Sequence, residues 1–287
     1  MEGMKKVLFL VLVALLTLGA ASLAGAEPKK FDGGRYELKG DLWVEREMKG
    51  DINGDEYEDT VRFIVLRGDV PNRADRMWFE VQHGYAAYTP TDRRPAPYLV
   101  PLPEEIAGYN PSTELVKFVA NREDQVFLTF DTMVNGPRAF AVARIRANDV
   151  RRDAVVLFDS RTMNRAIVSG NYLGRYLANV RIVDTNTNFT LDVSGRKDFY
   201  EKQGVYDKSG KILRTVSVGV TRYEDISIGP KETADGVSTL IAKMGIYGFD
   251  DTDRLATITC ILAYDDTFAS WRVMHSEVSP EPGVGFM

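Results

Sequence analysis

A single cysteine, Cys260, stands in 287 residues, and there are two histidines, His83 and His275. One cysteine excludes an intrachain disulfide. Two histidines set far apart, with no H-x-x-x-H and no C-x-x-C, leave too few soft ligands for an ordinary zinc site. A G-x-S-x-G elbow is missing, which removes the usual signature of a serine hydrolase. Phosphate-binding glycine patterns are missing too, since Gly33, Gly34, Gly204, Gly210 and Gly229 read as turn glycines. Helical periodicity is scarce throughout. No second long apolar run follows the one at the amino terminus, so no membrane span is expected beyond it.

That first run reads as an export signal. Lys5 and Lys6 form a basic start, Val7 to Leu18 is almost wholly apolar, and Ala24-Gly25-Ala26 supplies small residues for cleavage, so residues 1–26 are expected to be removed. The segment contains no cysteine, which rules out lipid attachment there. Its loss takes away Lys5, Lys6 and Glu2 and moves the net charge from −5 to −6. An acidic chain lacks the concentrated positive surface that phosphate backbones need, so nucleic acid is not an expected partner. Residues 27–287 are expected to form one all-β unit, in a secreted or periplasmic setting, with an extracellular protein or glycan as partner.

What is present is strand. Thr60 to Leu66, Met77 to Gln82, Val126 to Asp131, Ala139 to Ala147, Ala154 to Asp159, Tyr176 to Val183, Leu240 to Tyr247, Arg254 to Tyr264 and Ser270 to His275 are short and rich in Val, Ile, Phe, Tyr and Thr. Turn chemistry separates them at Val134-Asn135-Gly136-Pro137, Lys208-Ser209-Gly210-Lys211, Gly229-Pro230 and Asp265-Asp266. Asn110-Pro111-Ser112-Thr113-Glu114 has the form of one helical turn. Five prolines between Tyr88 and Pro103 predict a long surface loop. Cys260 lies inside an apolar run and is expected to be a buried core residue.

The one chemically specific motif is Asp51-Ile52-Asn53-Gly54-Asp55-Glu56-Tyr57-Glu58-Asp59. Asp51, Asn53, Asp55 and Asp59 place oxygen-bearing side chains at positions 1, 3, 5 and 9 of a tight loop. That spacing suits a hard dication, which takes six to eight oxygens at about 2.3 to 2.6 Å. Elsewhere, Glu80, Asp131 and Glu224 lie in strand patterns, and a pair of such carboxylates is what a glycoside hydrolase would need. A secreted carboxylate-dependent hydrolase is therefore the rival to a non-catalytic binding role.

The Gly50 to Asp55 core with Asp59-Thr60-Val61 resembles the calcium loop of FG-GAP and VCBS-type repeats, the blades of integrin-like β-propellers. The resemblance covers about a dozen residues. It implies a structural calcium ion held by the side chains of Asp51, Asn53, Asp55 and Asp59 and by the backbone carbonyl of Tyr57. It also implies a β-propeller or a propeller-like array of four-stranded antiparallel sheets. The chain departs from the family pattern at Glu56, where a glycine normally makes the sharp bend, so Glu56 is expected to bend at some steric cost.

Overall fold

The computed structural model describes residues 28–84, 96–120, 123–163, 166–231 and 236–287. The expected signal peptide, residues 1–26, lies outside them. Within the described residues the chain is all-β, with one short α-helix, α1 (Lys197–Lys202), and 3-10 turns at Gly34–Tyr36 and Ser194–Arg196.

The first half supplies β1 (Lys29–Lys30), β2 (Asp41–Gly50), β3 (Asp59–Arg67), β4 (Arg73–Gln82), β5 (Tyr98–Pro101), β6 (Gly108–Val116), β7 (Gln125–Asp131), β8 (Arg138–Ala147) and β9 (Arg152–Asp159). These join in one antiparallel sheet ordered β1-β2-β3-β4-β6-β7-β8-β9, with β5 on β4. Strand β4 forks: Arg73 and Ala74 pair with β6, whereas Trp78 to Val81 pair with β5. Because β2 also approaches β6, and β5 approaches β8 and β9, the sheet curls into a half-barrel. Inside the curl Val61, Phe63, Phe79, Val81, Leu128 and Phe130 form a core.

The second half contributes β10 (Val168–Leu173), β11 (Leu177–Ile182), β12 (Thr187–Asp192), β13 (Gly219–Val220), β14 (Asp225–Lys231), β15 (Ser238–Tyr247), β16 (Arg254–Asp265), β17 (Ser270–Pro280) and β18 (Gly285–Phe286). They build a four-stranded sheet, β10-β11-β12-β18, and a five-stranded sheet, β13-β15-β16-β17, with β14 on β15. A second core fills the space between these sheets and the outer face of β7 and β8.

Strands β7 and β8 are thus buried on both faces. Val126, Leu128 and Phe130 of β7, with Ala139, Ala141 and Ala143 of β8, point into the curl, while Phe127, Phe140 and Val142 point into the second core. That is why Ala139-Phe140-Ala141-Val142 reads as a continuous apolar run rather than an alternation. On β8 the small alanines face the interior of the curl, while Phe140 and Val142 face the second core.

Several expectations are corrected. Asn110 to Glu114 is strand, not a helical turn: Asn110 and Pro111 occupy a register shift between Tyr109 and Ser112, where a proline costs no ladder hydrogen bond, and Asn110 takes φ +48°. Of the expected loop from Tyr88 to Pro103, residues 88–95 lie outside the described segments, and Tyr98–Pro101 is a strand paired with β4. Gly229-Pro230 is not a chain reversal but an irregularity within β14, between Ile228 and Lys231. The structure shows an all-β chain of antiparallel sheets with nine, four and five strands, and it does not show a propeller.

Candidate functional site

The β2–β3 connection closes on the pair Gly50 and Asp59 and contains the acidic loop. Its first residue organises it. Asp51 Oδ1 accepts backbone N–H bonds from Asn53 at 3.3 Å, Gly54 at 2.7 Å and Asp55 at 3.2 Å, and Oδ2 accepts from Glu56 at 2.8 Å. The pattern repeats two residues on. Asn53 Oδ1 accepts from the Asp55 N–H at 3.1 Å, and Asp55 Oδ1 from the Tyr57 N–H at 2.9 Å. Short polar side chains at alternate positions therefore fold the loop by bonding the backbone just ahead of them. The Asn53 amide then donates to Asp55 Oδ2 at 2.9 Å, which holds those two side chains together.

Gly54 has φ +79° and Glu56 φ +71°. Glu56 does adopt the left-handed bend, at a cost of about 1 kcal/mol for a residue with a Cβ. Ahead of them the loop anchors inward: Ile52 is 2% exposed and belongs to the core of the curl. The Asp51 N–H also donates to Asp124 Oδ2 at 3.0 Å, and burial raises the Asp124 pKa.

Asp59 differs from Asp51, Asn53 and Asp55. It is fully buried. Its Oδ2 accepts the Ile52 N–H at 3.1 Å, and its Oδ1 accepts the Gly84 N–H at 2.9 Å and a bond from His83 Nδ1 at 3.0 Å. His83 Nε2 lies 2.5 Å from the Ala147 carbonyl oxygen. Both ring nitrogens face acceptors, an arrangement that favours the protonated ring, and the Asn53 amide nitrogen lies 3.4 Å from Nδ1. The Asp59 hydrogen bond lifts the His83 pKa above its ordinary value, against burial, which pulls it down. Gly84 is required where it stands, because a Cβ there would meet the Glu58 carbonyl oxygen at 2.3 Å.

The five residues expected to hold calcium therefore divide. Asp51, Asn53 and Asp55 are bonded within the loop, and Tyr57 is half exposed. Asp59 turns its carboxylate toward β4 and His83. Among the described residues no group of three or more His, Cys, Asp or Glu side chains is gathered as metal ligands. Asp51, Asn53 and Asp55 carry the hard oxygens that calcium takes, whereas both Asp59 oxygens are already engaged by the Ile52 and Gly84 N–H groups and His83.

Beside the loop lies an open depression of about 790 Å³, bordered by Ile52, Asn53, His83, Tyr98, Arg144 and Arg151. Its polar groups are largely engaged. The Tyr98 hydroxyl donates to Asp149 at 3.0 Å, Arg152 lies 5.1 Å over the Tyr98 ring, and Arg144 Nε is 3.1 Å from Glu123.

Glu80 and Asp131 lie on strands as expected, Glu224 instead in the bend just before β14, and each is tied to an arginine. Glu80 accepts from Arg62 at 2.8 Å and from the Tyr36 hydroxyl at 2.8 Å, Glu224 from Arg254 at 2.8 Å, and Asp131 is 3.5 Å from Arg138.

One buried acid is not legible in the sequence pattern. Asp253, in the Asp250-Asp251-Thr252-Asp253 turn, is 2% exposed and accepts from the hydroxyls of Tyr172 at 2.7 Å and Tyr200 at 2.8 Å. It also accepts from the Phe249 N–H and lies 3.4 Å from Arg196. Burial, the neighbouring hydroxyl and this carboxylate together raise the Tyr172 pKa. A buried charge satisfied from four sides is a structural knot that ties β10 and α1 to the β15–β16 turn.

The sheets and loop define an all-β protein of two packed halves, the first carrying an acidic hairpin loop. Within it, residues 166–279 match the family model of the YybI C-terminal domain. The match is well under half of the chain; it runs from just before β10 nearly to the end of β17 and leaves the half-barrel unmatched. Comparison with curated proteins and with solved structures returned no match.

Proposed function

We propose that this chain is an exported, non-catalytic all-β binding module, with a calcium ion in the loop from Asp51 to Asp59 as a structural element. The side-chain oxygens of Asp51, Asn53, Asp55 and Asp59 and the Tyr57 carbonyl would hold the ion, and its positive charge would offset the acids crowded there. The observation that carries the reading is the self-closed loop: Asp51 accepts four backbone N–H bonds, so the wrapped form exists without outside help. An ion arriving at such a loop has little ordering left to do. Its partner would be an extracellular protein or glycan. The propeller-like part of this reading rests on the loop resemblance and on the one four-stranded sheet, β10-β11-β12-β18. The rival hydrolase reading draws no support from Glu80, Glu224 and Asp131, each tied to its own arginine.

Melting in calcium against melting in chelator is the test. At tenfold excess of ion over Kd the gain is about 1.4 kcal/mol, or roughly 3 to 6 °C for a chain of this size. Asp55→Asn keeps the loop's backbone bonds and should lose most of that response. A wild-type melting curve identical in millimolar calcium and in chelator would remove the metal from this reading.

A further inference from the structure

A groove of about 820 Å³ runs where the two halves of the molecule meet, between β9, the residues that follow it, and the start of β17. Aromatic and aliphatic side chains form part of its walls, Phe158, Tyr223, Leu262 and Trp271 below and Met163 and Met274 at the mouth, beside the polar Thr162 and Ser270. The volume is that of a small-molecule site, with apolar and polar surface sharing the lining about equally, and a junction between packed halves is where such sites commonly form. The floor is held in place rather than collapsible. Trp271 Nε1 donates to the Leu157 carbonyl at 3.0 Å, and the ring meets Phe118, Phe158 and Tyr264 edge-on at centroid distances of 5.4, 5.7 and 5.6 Å.

Two charged residues line the groove, Arg272 and Asp184. Arg272 is spent: its Nε lies 3.0 Å from Asp265, and its guanidinium lies 4.0 Å over the Phe268 ring. Among the described residues Asp184, which is exposed, accepts the Ile167 N–H at 2.7 Å and pairs with no cation. Its charge reaches the groove floor. Burial pushes the Cys260 thiol up to about 12, and Asp184 adds to that rise, as it does for Tyr223. Among the described residues the groove therefore offers apolar surface, aromatic rings and one carboxylate with no ion-pair partner.

We propose that this groove binds a small amphipathic cation, with an ammonium or similar head at Asp184 and a flat apolar body against Trp271 and Tyr223. Aromatic faces and thioethers both favour such a ligand, the first through attraction of a cation to the ring and the second through adaptable packing. The site is separate from the acidic loop and its occupancy does not depend on calcium.

The test is a calorimetric titration of the full chain, in chelator, with three matched probes: 2-naphthylmethylammonium, 2-naphthalenemethanol and 2-naphthoate. The expected result is saturable one-to-one binding of the ammonium, weaker binding of the alcohol by roughly five- to tenfold, and weaker still for the carboxylate. Asp184→Asn, which can still accept the Ile167 N–H, should bring the ammonium down to the affinity of the alcohol without moving the melting temperature. Met274→Arg, at a residue 63% exposed on the rim, should weaken the ammonium most. Absence of saturable ammonium binding overturns the proposal, as does equal affinity for all three probes or undiminished discrimination in Asp184→Asn. Because chelator is present throughout, a failure here is distinct from a failure of the calcium reading.

Discussion

His83 Nδ1 and Asp59 Oδ1 lie 3.0 Å apart, and that contact fastens the acidic loop to the end of β4. The aspartate is fully buried and also receives the Ile52 and Gly84 N–H groups. Replacing it with Asp59→Ala would strand two backbone donors and the partly buried His83 ring together. A loss of about 3 to 5 kcal/mol is expected, read from urea denaturation in chelator. A loss below about 1 kcal/mol would mean that the pair contributes little.

The same contact sets a pH dependence. The folded-state pKa of His83 is raised above 6.5, principally by the bond to Asp59. A raised pKa means that the protonated form favours the folded state, so this contribution is fully present below about pH 6.5 and fades as pH rises through the folded value. Metal-free protein should therefore lose stability on going from about pH 6 to about pH 8.5. His83→Gln should flatten that part of the profile. An unchanged slope in the variant would place the dependence on another group.

The second core draws on both halves of the chain, and this limits what can be cut away. Phe118, Phe127, Phe140, Val142 and Phe158 from the first half pack with the residues of 166–279. A fragment carrying only residues 166–287 would expose that surface, so it is expected to aggregate or to lack a cooperative melting transition. In the intact chain Phe140→Ala should cost about 3 to 5 kcal/mol. Cooperative unfolding of the fragment at a melting temperature near that of the full chain would show that the first half is dispensable.

Cys260 is fully buried on β16, and burial pushes its thiol up to about 12. It should resist a thiol reagent in the native state and react at the rate of unfolding. Cys260→Ser buries a hydroxyl among apolar neighbours and should cost about 1 to 3 kcal/mol. Rapid labelling of native protein would contradict this packing.

Strand positions were readable where burial is one-sided or complete, as in Thr60–Leu66 and Ala139–Ala147, because apolar residues then mark the line of the core. Strand β2 was not, since its Asp-Leu-Trp-Val-Glu-Arg-Glu-Met-Lys sequence alternates poorly and its Glu and Arg side chains find partners on neighbouring strands: Glu47 with Arg62, Glu45 with Arg67. Asp253 carries no local sign of its burial, because the hydroxyls that bury it, Tyr172 and Tyr200, lie 81 and 53 residues away in sequence. His83 looked isolated for the same reason.

The amino-acid sequence by itself determined the short-range features: the all-β character, and an acidic loop whose side chains at alternate positions bond the backbone two to five residues ahead. Those interactions need no distant partner, so spacing alone specifies them. Tertiary structure decided that the strands join into sheets of nine, four and five, that β7 and β8 face two cores, and that Asp59 spends its carboxylate on His83. Each of those outcomes depends on contacts between segments remote in sequence, where the energy of burying both faces of a strand or pairing a buried charge exists only after the chain has closed on itself.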